Sequence, residues 1–222
     1  MSKKIFVACD TTNILKVKKI IKHTQTRKLK IGYKFGLEFL NSKNGRYFIS
    51  KLKNKIIFFD LKLNDIPNTC MSAVKAIKDL KINYLTIHIN SGLDALKAVK
   101  KVSGKIKIVG VSTLTSLNDE KLKQTGHTQT VKNLVIKQAK LARKANLDAL
   151  VCSAHEVSYI KHIFKKEIIT PGIRLNTKIN DQKRVMTPKK AFKQGSDWLV
   201  IGRSLTKGNI KNNIKNLIDH LS

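Results

Sequence analysis

Two carboxylates and an ammonium fall within one short stretch, Asp60-Leu61-Lys62-Leu63-Asn64-Asp65, directly after the apolar run Ile56-Ile57-Phe58-Phe59. That run has the β-branched and aromatic make-up of a buried strand. Side chains alternate faces along an extended strand, so Asp60 and Lys62 share a face, about 6 to 7 Å apart. Asp65 then falls in the turn that leaves the strand, where Pro67 prevents further ladder pairing. Taken alone, D-x-K reads as a surface salt bridge. Alternating charges at the exit of a buried strand point instead to a site that handles negative charge and moves a proton.

Signals for anion binding stand far downstream. Thr170-Pro171-Gly172-Ile173-Arg174 follows one apolar run, and Val200-Ile201-Gly202-Arg203-Ser204 ends another. Glycine lets backbone N–H groups approach an anion, and arginine supplies a planar fork of donors. Only six of the 45 basic residues are arginine, so Arg174 and Arg203 stand out in a chain that otherwise uses lysine. Either Gly/Arg pair alone is an ordinary turn after a strand, whereas two such loops after the last two strand-like runs point to a phosphate. The six histidines show no metal spacing, since Ala154-His155-Glu156-Val157 lacks the second histidine of H-E-x-x-H. No G-x-G-x-x-G or Walker loop is present. Nothing points to a nicotinamide, a flavin or a metal.

The elements that position these groups are legible as an alternation. Strand-like runs lie at Ile5–Cys9, Leu29–Ile31, Ile56–Leu61, Tyr84–His88, Ile106–Val111, Ala149–Cys152, Ile168–Thr170 and Trp198–Ile201. Amphipathic, lysine-faced helices are predicted at Ile14–Lys22, Thr69–Asp79, Leu93–Lys101, Val131–Ala145, Glu156–Phe164, Pro188–Gln194 and Ile210–Leu221, with a segment at Leu37–Leu52 cut by Asn44-Gly45. Parallel strands need crossover helices and eight close a sheet, so the fold class is α/β, a (β/α)8 TIM barrel in one domain over residues 1–222. A doubly wound open sheet is the alternative. Asp10, Lys30, Asp60 with Lys62, His88, Thr115, Arg174 and Arg203 are each expected at the C-terminal end of a strand. Barrel enzymes build their active sites at that face.

Composition bounds the class. The chain has 222 residues, 41% of them hydrophobic, enough for a continuous core. No apolar run approaches the ~20 residues of a membrane span, and the start is too weakly apolar for a secretory signal. Cys9, Cys70 and Cys152 are scattered and odd in number, which reads as reduced packing residues in a cytoplasmic protein. The net charge of +31 suggests a nonenzymatic RNA-binding protein on a barrel scaffold. Against this, the lysines are dispersed, arginine is scarce, and isoleucine and asparagine are abundant, a pattern that compositional drift produces. We expect no specific nucleic-acid partner and no membrane partner.

The segment Asp60-Leu61-Lys62-Leu63-Asn64-Asp65-Ile66-Pro67-Asn68-Thr69 resembles the signature of the orotidine 5′-phosphate decarboxylase family. The likeness runs in order through Ala8-Cys9-Asp10, Leu29-Lys30-Ile31-Gly32, Ser112-Thr113-Leu114-Thr115-Ser116, Val151-Cys152-Ser153-Ala154, Thr170–Arg174, Asp181–Pro188 and Ile201-Gly202-Arg203. It implies a barrel homodimer with shared sites that uses no cofactor and converts orotidine 5′-monophosphate to UMP, the last step of de novo pyrimidine synthesis. Its charge network here would be Lys30, Asp60, Lys62 and an Asp65 from the partner subunit. Lys62 would protonate C6, Asp60 would face the substrate carboxylate, and Lys30 would hold Asp60 and reach the ribose. Asp10 would meet a ribose hydroxyl, Thr69 would approach the ribose from the neighbouring chain, and Thr115 or Ser116 would read the pyrimidine edge. Gln182, Gly202 and Arg203 would grip the phosphate, with Arg174 nearby. Ser91 stands where the family usually has a glycine, and Gly126–Thr130 looks shortened. A magnesium-dependent sugar-phosphate decarboxylase sharing D-x-K-x-x-D is the nearest rival, and it wants an acid where Lys30 stands.

Overall fold

In a computed structural model of the chain, describing residues 2–175 and 185–222, eight parallel strands close into a barrel in sequence order. They are β1 (Lys4–Ala8), β2 (Lys30–Gly36), β3 (Ile56–Leu63), β4 (Tyr84–His88), β5 (Lys107–Val111), β6 (Ala149–Val151), β7 (Glu167–Thr170) and β8 (Trp198–Ile201). β8 pairs with β1 to complete the ring, Lys4 level with Trp198. The connecting helices are α1 (Ile14–Thr24), α2 (Leu37–Leu40), α3 (Gly45–Lys51), α4 (Pro67–Ala76), α5 (Gly92–Val102), α6 (Asp119–Lys123), α7 (Val131–Lys144), α8 (Val157–Ile163), α9 (Pro188–Lys193), α10 (Arg203–Thr206) and α11 (Ile210–Leu221). Among the described residues no helix is long and apolar enough to cross a membrane.

Local chemistry sets where the helices begin. The Asn13, Thr130 and Asn209 side chains accept backbone N–H groups in the first turns of α1, α7 and α11. Each satisfies a donor that the helix leaves without a partner. Pro67 and Pro188 open α4 and α9, where a missing N–H costs nothing.

Strand alternation sorts the core into two layers. One set of positions fills the barrel interior with Phe6, Phe58, Tyr84, Val109, Ala149, Ile169 and Trp198. The other set packs the outer faces of the strands against the helices. Phe6 stacks on Trp198 with ring centroids 4.0 Å apart and planes 17° apart. Burying one such ring contributes about 1.5–3 kcal/mol. Gly32 makes room for it, since a Cβ there would come within 2.6 Å of the Phe6 ring. Below these rings, Glu167 closes the N-terminal mouth. It lies 3.2 Å from Lys4 Nζ and 2.8 Å from Lys107 Nζ, and it accepts the Tyr84 hydroxyl at 2.9 Å.

One difference from the sequence reading has a physical cause. The second strand extends from Lys30 to Gly36, well past the expected Leu29–Ile31. Gly32 and Gly36 look like strand ends in sequence, but they are spaces for neighbouring side chains. The 37–52 segment forms two short helices, α2 and α3, with Asn44 leading into Gly45 at the start of the second.

Candidate active site

The inward positions become polar where the strands reach their C-terminal ends. Asp10 lies just beyond β1, Lys34 on β2, Asp60 and Lys62 on β3, and Thr86 on β4. Lys34 Nζ lies 3.0 Å from Asp10 Oδ1 and 3.4 Å from Asp60 Oδ2. Lys62 Nζ lies 2.9 Å from the same Asp60 oxygen. The Thr86 hydroxyl lies 3.2 Å from the other, Asp60 Oδ1. One carboxylate is thus held between two ammonium groups and a hydroxyl. Gly36 leaves space for the arrangement, since a Cβ there would sit 3.3 Å from Lys34 Nζ.

Burial and charge oppose each other across this cluster. The Asp60 side chain is only 14% exposed and that of Lys34 11%. Burial works to raise the Asp60 pKa, but Lys34 and Lys62 outweigh it and hold the carboxyl below its usual range. Burial likewise works to lower the Lys34 pKa, and Asp60 with Asp10 reverse it, so the ammonium is strengthened. Both groups stay charged at neutral pH, a fixed field that needs no rearrangement when charge develops nearby. Behind them, burial and the Asp10 charge push the Cys9 thiol up to about 12, leaving it an inert packing group. Burial and the Lys62 charge push His88 down, so its imidazole is neutral.

Lys30 does not belong to the cluster. It starts β2 level with Lys4, is exposed, and lies toward the N-terminal mouth. Lys34 occupies the place expected for it. The two lysines are four positions apart, an even number, so alternation puts both on one face while about 13 Å of strand divides them.

Alternation also fails to describe Lys62. Phe59 pairs with Leu85 and Leu63 with Ile87, so four steps along β3 match two along β4. Within this irregularity Lys62 has φ of 52°, a left-handed conformation. It costs a lysine on the order of 1–2 kcal/mol. The Lys62 N–H leaves the ladder and donates to Thr86 Oγ1 at 2.7 Å.

A cavity of about 330 Å³ opens above the network, within the ~300–1,000 Å³ range of small-molecule sites. Asp10, Lys34, Asp60 and Lys62 line one side, with Arg174, Gly202 and Arg203 on its wall after β7 and β8. Thr115 lines it together with Thr113, whereas Ser116 is exposed and outside it. Gln138 anchors that loop by accepting the Thr113 N–H at 2.9 Å. Asp65 and Thr69 are exposed and do not line this chain's cavity. Ser91 donates to Asn64 Oδ1 at 3.0 Å, tying down the turn that carries Asp65. Gln182 lies outside the described residues. Residues 173 and 186 form an isolated bridge. A larger groove of about 640 Å³ between α1 and α3 is lined by Ile14, Ile21, Tyr47 and Phe48 with lysines, and it holds no acid. The convergence of charge marks the smaller cavity as the candidate site.

Lys34, Thr113 and Thr86 are the residues that sequence reasoning missed. Lys34 shares the face and the chemistry of Lys30, and only the true length of β2 separates the two. Thr86 carried no signal, because its partners come from an irregular pairing with β3.

Comparison with known proteins agrees with the barrel fold. Residues 3–213 match the model of the family described as "Orotidine 5'-phosphate decarboxylase / HUMPS family". An orotidine 5′-phosphate decarboxylase of Wolbachia sp. subsp. Brugia malayi is 42% identical over 223 residues, covering 96% of each chain. One from Wolbachia pipientis subsp. Culex pipiens is 46% identical over 180 residues, 78% of this chain and 79% of its own. The crystal structure of the orotidine 5′-phosphate decarboxylase from Lactobacillus acidophilus superposes with a TM-score of 0.84 at 29% identity, covering 100% of both chains. The chain belongs to the orotidine 5′-phosphate decarboxylase / HUMPS family and is a carboxy-lyase.

Proposed function

We propose that the chain decarboxylates orotidine 5′-monophosphate to UMP without a metal or cofactor, with Lys62 as the proton donor. The observation that carries this reading is the Asp60 carboxylate set between Lys34 and Lys62 at 3.4 and 2.9 Å beside a cavity at the strands' C-terminal ends. In the reaction the bond from C6 to the carboxylate breaks and its electron pair stays on C6. A Lys62 N–H proton passes to C6 as CO₂ departs, and solvent later returns a proton to the amine. Carbon 6 has no adjacent electron sink, so a fixed cation is what the developing carbanion needs. At 4 Å and an effective dielectric near 20, one such interaction is worth ~4 kcal/mol.

One lysine is therefore insufficient, and the remote phosphate contributes the rest through binding. Arg174, Gly202 and Arg203 sit on the wall where a phosphate would lie, and its capture offsets the cost of placing the substrate carboxylate beside Asp60. Asp10 is positioned for a ribose hydroxyl, and Lys34 for both Asp10 and Asp60. Thr115 rather than Ser116 is positioned to read the pyrimidine edge. Asp65 and Thr69, exposed beside Ile66 at 66% exposure, fit donation to a second copy's site, and we read the chain as one cytoplasmic domain acting as a homodimer.

A specific observation weighs against the magnesium-dependent rival. The Lys34 ammonium occupies the gap between the Asp10 and Asp60 carboxylates and already neutralises the pair. Lys62→Ala tests the function. The expected variant keeps its melting transition and binds UMP but forms no UMP from orotidine 5′-monophosphate. Turnover surviving the substitution would overturn the proposal.

A further inference from the structure

We propose that Thr86 is a positioning residue for the reaction: its hydroxyl holds the Lys62 backbone and the Asp60 carboxylate in the relation that aims the proton donor. This rests on the decarboxylase reading above. Thr86 stands on β4 and is fully buried. Its oxygen accepts the Lys62 N–H at 2.7 Å. It lies 3.2 Å from Asp60 Oδ1 and 3.5 Å from the Phe59 carbonyl. A threonine hydroxyl has a single hydrogen and two lone pairs. With one lone pair taken by Lys62, the hydrogen goes to the closer acceptor, Asp60.

Both residues of the Asp60–Lys62 pair are thereby tied to one atom of the neighbouring strand. The tie falls where the ladder fails, in the four-against-two mismatch between Phe59 and Leu63. An ordinary strand would present Lys62 through its backbone pairing. Here the left-handed φ of 52° redirects it, and the N–H so displaced finds a side-chain acceptor. Backbone held in a sparsely populated conformation persists where its surroundings over-determine it, and Thr86 is the group that does so at Lys62. The hydroxyl also occupies Asp60 Oδ1, leaving Oδ2 to Lys34 and Lys62. No part of this requires Thr86 to touch substrate, and it does not line the cavity.

The test is steady-state decarboxylation by wild type, Thr86→Val and Thr86→Ser, with UMP affinity measured alongside. Valine keeps the shape and removes the hydroxyl, while serine restores it. Thr86→Val is expected to lose roughly 10- to 100-fold in kcat, the scale of a misplaced reacting group, with KM and UMP affinity near wild type. Thr86→Ser is expected to recover most of kcat. A kcat in Thr86→Val equal to wild type, a serine variant as slow as the valine one, or parallel losses in kcat and UMP affinity would each overturn the role. If Thr86→Val does not fold, Thr86→Cys, with a weaker donor and acceptor, replaces it under the same criteria. An inactive wild type would remove the decarboxylase reading itself, whereas an active wild type with an unaffected valine variant removes only Thr86.

Discussion

Lys34 brings its ammonium to 3.4 Å from the Asp60 carboxylate although its own strand position is level with Phe58. The side chain therefore reaches along the barrel axis, toward the C-terminal face, to a carboxylate two residues further up the neighbouring strand. It also neutralises Asp10, so two acids share one cation. Removing it leaves the exposed Asp10 carboxylate and the buried Asp60 carboxylate without the cation they share. Lys34→Ala is expected to reduce kcat by about 10²-fold or more, while Lys30→Ala stays close to wild type. Steady-state kinetics on both variants checks this, and a large loss from Lys30→Ala alone would reverse the assignment.

That pair also shows how far the sequence could be read. The eight-strand alternation, the D-x-K-x-x-D segment and the two Gly/Arg loops were legible because each depends on local periodicity or on rare residue types. Lys30 and Lys34 have the same face and the same chemistry, and only depth along the strand separates them. Depth depends on where β2 ends, which Gly32 hid. The reason for that glycine is the Phe6 ring on another strand. Lys62 was read as aligned with Asp60 by simple alternation, whereas an irregular pairing with β4 and the Thr86 hydroxyl place it. Contacts made between strands leave no trace in the local pattern of either one.

Arg203 tests the phosphate wall. Charge-assisted hydrogen bonds are worth about 1.5–3 kcal/mol, so Arg203→Ala is expected to lower kcat/KM roughly 10- to 150-fold, mostly through KM. An unchanged kcat/KM for orotidine 5′-monophosphate would remove Arg203 from that role.

Asp65 tests the shared site. In this chain it is exposed, and its Oδ1 accepts the Ile66 N–H at 2.7 Å instead of meeting the Lys62 cluster. Inactive Lys62→Ala and Asp65→Ala proteins, mixed under conditions of subunit exchange, are expected to regain about a quarter of wild-type sites by random pairing. No recovery after exchange has been verified by labelled subunits would contradict the contribution from a second copy.

Acid stability has a signed expectation at the opposite mouth. Burial works to raise the Glu167 pKa, but Lys107, Tyr84 and Lys4 overcome it and hold the carboxyl below its usual 4.5. A depressed carboxyl contributes stability that is complete above the unfolded pKa and is lost as pH falls through the folded value. The contribution of Glu167 is therefore expected to stay constant from neutrality to about pH 5 and to be lost progressively below 4.5. Glu167→Gln is expected to cost about 1–3 kcal/mol near neutrality, because it removes the charge that meets the half-buried Lys4, the buried Tyr84 hydroxyl and Trp198 N–H, and the exposed Lys107. The variant is also expected to flatten the acid dependence. Denaturant unfolding at several pH values measures both effects, and an identical acid slope in the variant would contradict this role for Glu167.

The account stands most directly on one assay: purified protein and orotidine 5′-monophosphate in excess EDTA, with UMP and released CO₂ quantified. The cluster of Asp10, Lys34, Asp60 and Lys62 supplies its own cations, so the predicted result is stoichiometric UMP and CO₂ at a rate unchanged by the chelator. Absence of UMP, or activity that appears only when Mg²⁺ is restored, would contradict it.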